Sequence, residues 1–227
     1  TGLLGNISMW GYLKGQVEKP VLKELRPLRH LKETLVYFIP TIATSVYTIL
    51  DKTMLGWFSG ENKSQNGYYE YATGFVNMAK ILIMSFNAVM SARMSYLFGT
   101  GRMEEIHKRF QDSLDFVLLM AMPIMLGLAG IAAQFIPWFL GNGYLPVTFL
   151  MYVCSPLVLG VGLSDCIGSQ ILTPGGKRAQ SGKVIVAGAM VNACLNFLLI
   201  PHFAALGAAA ASVAAECFIT SLYLWLG

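Results

Sequence analysis

The chain has 227 residues, of which 55% are hydrophobic and 12% are charged, and its mean hydropathy is +0.57. Soluble domains carry about 25% charged residues, so this composition excludes an ordinary soluble protein and indicates a membrane protein. The net charge of +4 comes without the aromatic and basic clusters typical of nucleic-acid binders, and no nucleic-acid partner is expected.

The first segment, residues 1–33, differs from the rest of the chain. Residues 1–12 are largely apolar and have no initial methionine, and we interpret them as the tail of a preceding span. The stretch that follows is basic and amphipathic, which predicts a linker at the cytoplasmic surface. Since the chain also stops directly after the apolar "SLYLWL", we interpret it as a fragment of a longer protein, with residues 34–227 as its C-terminal transmembrane domain.

Six stretches within residues 34–227 are apolar and close to the length of about 20 residues that a helix needs to cross a bilayer. They lie at about residues 35–57, 71–92, 114–140, 145–172, 184–203 and 206–226. The prediction is an all-α polytopic membrane protein with six transmembrane helices.

Basic residues are distributed unevenly between the two sets of loops. Thirteen lie before the first span and in the second-to-third and fourth-to-fifth connections, whereas the opposite side has only Lys63. Because Lys and Arg are retained in cytoplasmic loops, the three basic segments are predicted to face the cytoplasm.

No motif of an enzyme site occurs in the sequence. It contains no phosphate-binding glycine loop, no HExxH and no GxSxG, and the four cysteines show no CxxC or Cys/His spacing. A membrane-embedded glycan polymerase would need a large outer loop, whereas the longest one spans only about residues 58–70. We therefore expect neither enzyme activity nor a cofactor.

Polar residues within the spans carry the functional information, because an ionisable side chain at membrane depth is costly and marks a pathway, an ion pair or a substrate site. These residues are Asp51, Lys52, Glu70, Lys80, Arg93, Asp165 and Glu216, with Asn77, Asn87, Asn192 and Asn196 as uncharged partners. Lys80, near the middle of its span, either faces a cavity or pairs with Asp51 or Asp165. Arg93 either faces the cavity or reaches the cytoplasmic headgroups.

Asn192 and Asn196 are one helical turn apart and share a face of the fifth span. The alanine-rich start of the sixth span, "GAAAASVAAE", allows the two helices to approach closely. This pattern predicts either a polar binding site or a hydrogen-bonded clamp between helices.

Four stretches of the sequence resemble one known family. They are "LKETLVYFIPTIATSVYTILDKTMLGWFSG", "NGYYEYATGFVNMAK", "MSARMSYLFGTG" and "NFLLIPHFAALGAAAASVAAE". They are similar to the polysaccharide flippases of the MATE/MOP superfamily, the Wzx-type carriers of lipid-linked oligosaccharides. The resemblance covers residues 31–227 and implies a transporter of two six-helix lobes, of which this chain matches the second and lacks the N-terminal one.

The resemblance also implies a function. Such a flippase moves an undecaprenyl-diphosphate-linked oligosaccharide across the cytoplasmic membrane of a bacterium by alternating access, and its partners are that oligosaccharide and the membrane lipids. A cation in a cavity of low dielectric attracts a diphosphate strongly. Lys80 and Arg93 are the candidate diphosphate contacts in this lobe, with Lys52 as a third.

A cation site is a further implication of the resemblance. In the related lipid II flippases a sodium ion lies in this lobe, and the matching positions here are Asp51, Asn192, Asn196 and Ser212. Coupling to sodium or to protons is therefore expected, and no other metal.

Two other functions stay open at this point. One is a lipid II flippase. The other is a cation-coupled multidrug or metabolite antiporter of the same superfamily, which would use the carboxylates of Asp51, Asp165 and Glu216 to bind cations.

Overall fold

A computed structural model describes residues 31–58 and 64–227. The expected preceding span, most of the basic linker and Lys63 lie outside the described residues. Val36–Gly227 form one unit of the chain, which contains every contact discussed below, and residues 31–35 belong to the other.

The described part of the chain is helical and contains no strand. In chain order the elements are α1 (Leu31–Phe58), α2 (Ser64–Thr100), α3 (Met103–Phe139), a 3-10 turn (Asn142–Tyr144), α4 (Leu145–Cys154), α5 (Leu157–Ile167), a π-helical segment (Gly168–Leu172) and α6 (Arg178–Leu226). The predicted all-α fold is confirmed.

Four helical stretches in the described part are long and apolar enough to cross a membrane. They are α2, α3, the run Asn142–Leu172 and α6. The fifth and sixth predicted spans both lie in α6, and α1 covers the first predicted span without being among the four. The count of six spans therefore stays a prediction.

The α6 helix is two helices joined at a sharp bend. Ala204 has φ 48° and ψ −126°, which no helix contains, and Pro201 just before it cannot donate a helical hydrogen bond. The two halves, residues 178–203 and 205–226, run antiparallel, because Ser181 Oγ lies 2.6 Å from Tyr223 OH at the far end of the pair. A Cβ atom added to Gly207 would lie 2.5 Å from the Leu199 carbonyl oxygen, so only glycine allows this close return of the chain.

The predicted span 145–172 is interrupted twice. The α4 helix ends at Cys154 and α5 begins at Leu157, after Pro156. Beyond α5 the backbone widens to a π-helix, in which the Thr173 amide donates to the Gly168 carbonyl at 3.0 Å. Such π-helical turns are rare and occur often at functional sites.

The core lies where α2, α3 and α5 meet. Ile83 and Val117 are almost fully buried, and Gly162 admits them, since its Cβ would lie 3.1 Å from Ile83 and 3.4 Å from Val117. Large apolar side chains such as Trp138 and Trp225 are about four-fifths exposed, at 80% and 81%. Outward apolar faces of this kind suit a lipid surrounding.

Candidate functional site

The buried carboxylate of Asp51 is the centre of a polar cluster. Asp51 lies near the end of α1 and is 2% exposed. Its Oδ1 accepts a short hydrogen bond from Asn196 Nδ2, and its Oδ2 accepts from Ser212 Oγ at 2.8 Å. Asn196 Nδ2 also donates to Asn192 Oδ1 at 3.0 Å. The structure thus brings the four residues of the expected cation site into one hydrogen-bonded group.

The hairpin within α6 explains this meeting of residues. Asn192 and Asn196 lie one turn apart on its first half, and the bend at Ala204 returns the chain so that Ser212 faces them from the second half. Ala208 and Ala211 are fully buried, and their small side chains allow the second half to pack closely against its neighbours.

Tyr69 of α2 is a fifth member of the cluster that sequence reasoning missed. Its hydroxyl donates to Asp51 Oδ2 at 2.9 Å and lies 3.1 Å from Ser212 Oγ. The stretch "GYYEYA" was recognised as typical of the family, but its spacing does not say which tyrosine turns toward Asp51. Three donors therefore surround this carboxylate and offset part of the cost of its burial.

Two amide atoms of the cluster have no partner among the described residues. Asn196 Oδ1 and Asn192 Nδ2 are buried without a hydrogen bond, which costs about 1–3 kcal/mol for each group. Rotating the Asn196 amide by half a turn would point its oxygen at the Asp51 carboxylate. In that rotated orientation the two facing oxygens would need a cation or a proton between them.

A second site is a cavity of about 670 Å³ lined by residues of α1, α2, α5, α6 and the π-helical segment. Its wall is mostly apolar, and we call it the polar cavity for the charged residues that it contains. It contains four ionisable residues of opposite sign, Lys80, Asp165, Arg178 and Glu216. In the sequence, Arg178 belongs to the basic connection between the fourth and fifth predicted spans. Exposed apolar residues, Met78 and Ile81, lie at its rim.

Lys80 lines this cavity without a close counter-ion. Within residues 31–58 and 64–227, ion pairs within 4.0 Å are formed by other basic residues and not by Lys80. The expected alternative of a pair with Asp51 or Asp165 is therefore not formed. The Glu216 carboxylate of the same cavity interacts electrostatically with Lys80 from beyond ion-pair distance. An ammonium group inside an apolar bundle attracts an anion more strongly than one at the surface.

The two carboxylates of the cavity are held by neutral donors. Ser164 Oγ donates a short hydrogen bond to Glu216 Oε1, and Gly160 makes room for this side chain, since a Cβ there would lie 2.9 Å from Glu216 Cγ. Asn87 Nδ2 donates to Asp165 Oδ2 at 3.0 Å. Both carboxylates remain available to a cationic ligand or a proton.

Asn87 also connects the cavity wall to the π-helical segment. It is fully buried, its Nδ2 donates to the Gly162 carbonyl at 3.1 Å, and its Oδ1 accepts from Gln170 Nε2 at 3.1 Å. Gln170, which sequence reasoning did not single out, lies within the π-helix. Side-chain hydrogen bonds thus link the π-helical segment, through Asn87, to Asp165 of the cavity wall.

Lys52 and Arg93 do not line the polar cavity. Lys52 Nζ is 2.7 Å from Glu70 Oε1 in an exposed ion pair, and it lines a second cavity of about 450 Å³ together with Asp51 and Lys80. Arg93 is half-exposed, lies 3.9 Å from Glu105 and is not among the residues that line either cavity.

Arg93 and Lys80 do not line a common cavity in this structure. The two residues are 13 positions apart on α2, which is about 20 Å along the axis and about 140° around it. Arg178 takes the place that was expected for Arg93, as the second basic residue at the cavity.

Residues 18–149 match the protein family described as "Polysaccharide biosynthesis protein". The chain is 26% identical over 211 residues to the "Putative O-antigen transporter" of Escherichia coli (strain K12), a match that covers 93% of this chain and 50% of that protein. The chain spans about half the length of this curated relative.

Two solved structures share the fold. One is "Lipid II flippase MurJ, inward closed conformation", with a TM-score of 0.72, 17% identity, and coverage of 91% of this chain and 46% of that chain. The other is an outward-facing multidrug resistance MATE family transporter of the MOP superfamily, with a TM-score of 0.73, 15% identity, and coverage of 85% and 43%. The described helices therefore have the fold of somewhat less than half of each of these proteins.

Proposed function

The chain belongs to the polysaccharide biosynthesis protein family, and from this premise we propose that it forms one six-helix lobe of a flippase for lipid-linked oligosaccharide. The substrate is an undecaprenyl-diphosphate-linked oligosaccharide, moved across the cytoplasmic membrane of a bacterium for surface polysaccharide biosynthesis. The name of the Escherichia coli relative supports this assignment. The protein acts without covalent chemistry and is not an enzyme.

The polar cavity with Lys80 carries the proposal. A lipid-linked sugar has two phosphates that must leave water, and Lys80 offers them a positive charge at membrane depth with no carboxylate within ion-pair distance. At low dielectric such an attraction is much stronger than at a surface. Arg178, on the wall of the same cavity, supplies the second positive charge.

Alternating access is the transport mechanism that we propose. The lobe would rock against a second lobe, in keeping with a chain that spans about half of its curated relative. Interruptions at Pro156, at the π-helical segment and at Ala204 are places where helices bend without unfolding. The cluster of Asp51, Asn192, Asn196 and Ser212 would hold the coupling cation or proton, and the carboxylate would supply its countercharge.

Replacing Lys80 tests the proposal. In the full-length protein we expect Lys80→Ala to lower surface polysaccharide on the order of 30-fold, because removing one charge of a buried ionic contact costs about 2 kcal/mol or more. Lys80→Arg should restore part of it, since the charge is kept while its geometry changes. Export is measured by surface polysaccharide immunoblots at matched protein levels.

The matched control is Lys108→Ala, which removes an exposed lysine of α3 and should leave export unchanged. Normal export by Lys80→Ala at the wild-type protein level would remove Lys80 from the substrate site.

A cation-coupled multidrug or metabolite antiporter is the second candidate, and one observation favours it: Asp165 and Glu216 line the same cavity as Lys80. Glu216→Gln separates the two functions. It removes a negative charge, so it should weaken export of a cationic drug, whereas transport of an anionic lipid-linked sugar should be retained or increased. Purified full-length protein in liposomes, tested with both substrates, gives the answer.

A further inference from the structure

An apolar groove lies beside the polar cavity, between α1 and the first half of α6. Its volume is about 370 Å³. It is lined by Ile39, Ile42, Ala43, Tyr47 and Leu50 of α1, and by Val186, Ala189, Met190 and Ala193 of α6.

The groove exists because several of the residues that face each other across the two helices are alanines, which leave space between the helices. Ala189 and Ala193 lie one turn apart on α6, and Ala43 faces them from α1. Its outer rim is apolar and open, since Ile42 and Met190 are exposed. A slot with apolar walls and an exposed apolar rim suits a hydrocarbon chain that enters from the membrane.

The groove adjoins the polar cavity. Tyr47 and Ala189 line both of them, so a chain lying in the groove ends next to a cavity that contains Lys80. A ligand that fills both spaces must combine an anionic head with an apolar tail. Bulk lipid is as apolar as the groove, so the groove gains little by the hydrophobic effect; what it supplies is van der Waals contact and a fixed position for the tail.

We propose that this groove holds the part of the isoprenoid tail next to the diphosphate of the lipid-linked substrate, while the diphosphate lies at Lys80. The inference rests on the proposed flippase function and adds a site for the tail. In this arrangement α1 and α6 orient the substrate, so that its diphosphate points into the cavity while its tail stays in the groove.

Filling the groove tests this assignment. Ala193 lines the groove and not the polar cavity, and its neighbour Cys194 is exposed and lines neither. In purified full-length protein in nanodiscs we expect Ala193→Phe to weaken binding of a fluorescent undecaprenyl diphosphate sugar about tenfold, with Cys194→Phe as the matched control at wild-type affinity. A tail-free sugar diphosphate should bind Ala193→Phe and wild type equally.

The outcomes separate the groove from the flippase function. Wild-type affinity of Ala193→Phe for the tailed probe, or an equal loss for both probes, overturns the groove while leaving the Lys80 cavity in place. Loss of both probes in Lys80→Ala supports the cavity independently. If the wild-type protein binds neither probe, the proposed function fails and the groove assignment with it.

A photo-crosslink provides a second measurement that does not require filling the groove. Benzoylphenylalanine at Met190, on the rim, should crosslink to the tailed probe, whereas the same group at Phe197, equally exposed on the same helix and outside the groove, should not. Excess unlabelled undecaprenyl diphosphate sugar should abolish the crosslink and phosphatidylglycerol should not. Competition by phosphatidylglycerol alone would assign the groove to ordinary membrane lipid and overturn the proposal.

Discussion

At the scale of single residues, the Asp51 cluster has two physical interpretations. As a clamp, its hydrogen bonds join α1, α2 and both halves of α6 at one buried point. As an ion site, the Asp51 and Ser212 oxygens would face a cation, and the Asn196 amide would be rotated by half a turn so that its oxygen becomes a further ligand. The two interpretations differ in the role of the negative charge on Asp51. A clamp needs only hydrogen-bond donors and acceptors, whereas a cation site needs the charged carboxylate.

Sodium-dependent stability distinguishes these interpretations. A ligand at 100 times its Kd stabilises a protein by about 2.7 kcal/mol, enough to raise the melting temperature measurably. We expect sodium to stabilise the full-length protein more than potassium at equal ionic strength. Asp51→Asn should remove this difference more completely than Asn192→Ala or Ser212→Ala.

Asn196→Asp is the complementary variant, because a second carboxylate should strengthen the response to sodium. Melting is followed by differential scanning fluorimetry in the two salts. If wild type and Asn196→Asp melt identically in sodium and potassium, the cluster is a clamp between helices.

At the scale of elements, the α6 hairpin positions both sites. It contributes Asn192, Asn196 and Ser212 to the cluster and Glu216 to the cavity. Its geometry depends on the bend at Ala204 and on the close return at Gly207. A side chain at Gly207 must displace backbone rather than a flexible side chain, which a packed helix pair accommodates poorly.

Substitutions at the bend test this dependence. Gly207→Ala should destabilise the protein by about 1–3 kcal/mol, as overpacking does, and should also disturb the sodium response if that response exists. Ala204→Gly should not lower the melting temperature, because glycine adopts a positive φ without strain.

The control is Gly127→Ala on α3, where an added Cβ meets nothing within 4 Å. Thermal melting of the three variants in one detergent gives the comparison. A Gly207→Ala protein that melts like wild type would show that the hairpin shifts freely.

At the scale of the whole molecule, two basic connections lie at the same end of the helices, as the distribution of Lys and Arg predicts. A Cβ on Gly175 would lie 3.5 Å from Phe98, so the loops near Arg102 and Lys177 are at the same end of the helices. At the other end, Tyr68 OH contacts the Gly143 carbonyl at 3.4 Å. The positive-inside rule predicts that the end with Arg102 and Lys177 faces the cytoplasm.

Cysteine labelling tests this orientation. After the four native cysteines are replaced, cysteines at Arg102 and Lys177 should be protected from an impermeant thiol reagent in intact cells, and one at Ser64 should react. Permeabilised cells serve as the control in which all three react. The reverse pattern in intact cells would invert the topology.

The sequence by itself determined the all-α fold and the resemblance to proteins of polysaccharide biosynthesis, and both are confirmed. It also singled out Asp51, Asn192 and Asn196 as polar residues at membrane depth. These inferences succeed because hydropathy, helical periodicity and short motifs are local properties of the chain. Polar residues are also rare and costly within membrane spans, so those that occur there are easily recognised in the sequence.

The tertiary structure decided which polar residues meet. Ser212 reaches Asp51 across 161 positions of the chain, Tyr69 joins them, and Arg178 rather than Arg93 lines the cavity with Lys80. The bend at Ala204 and the π-helical segment likewise have no signal that fixes their geometry. The rotation of a helix about its own axis decides which neighbouring helix each of its side chains faces. That rotation is fixed only when the neighbouring helices pack, because van der Waals contacts and interhelical hydrogen bonds, rather than local preference, choose it.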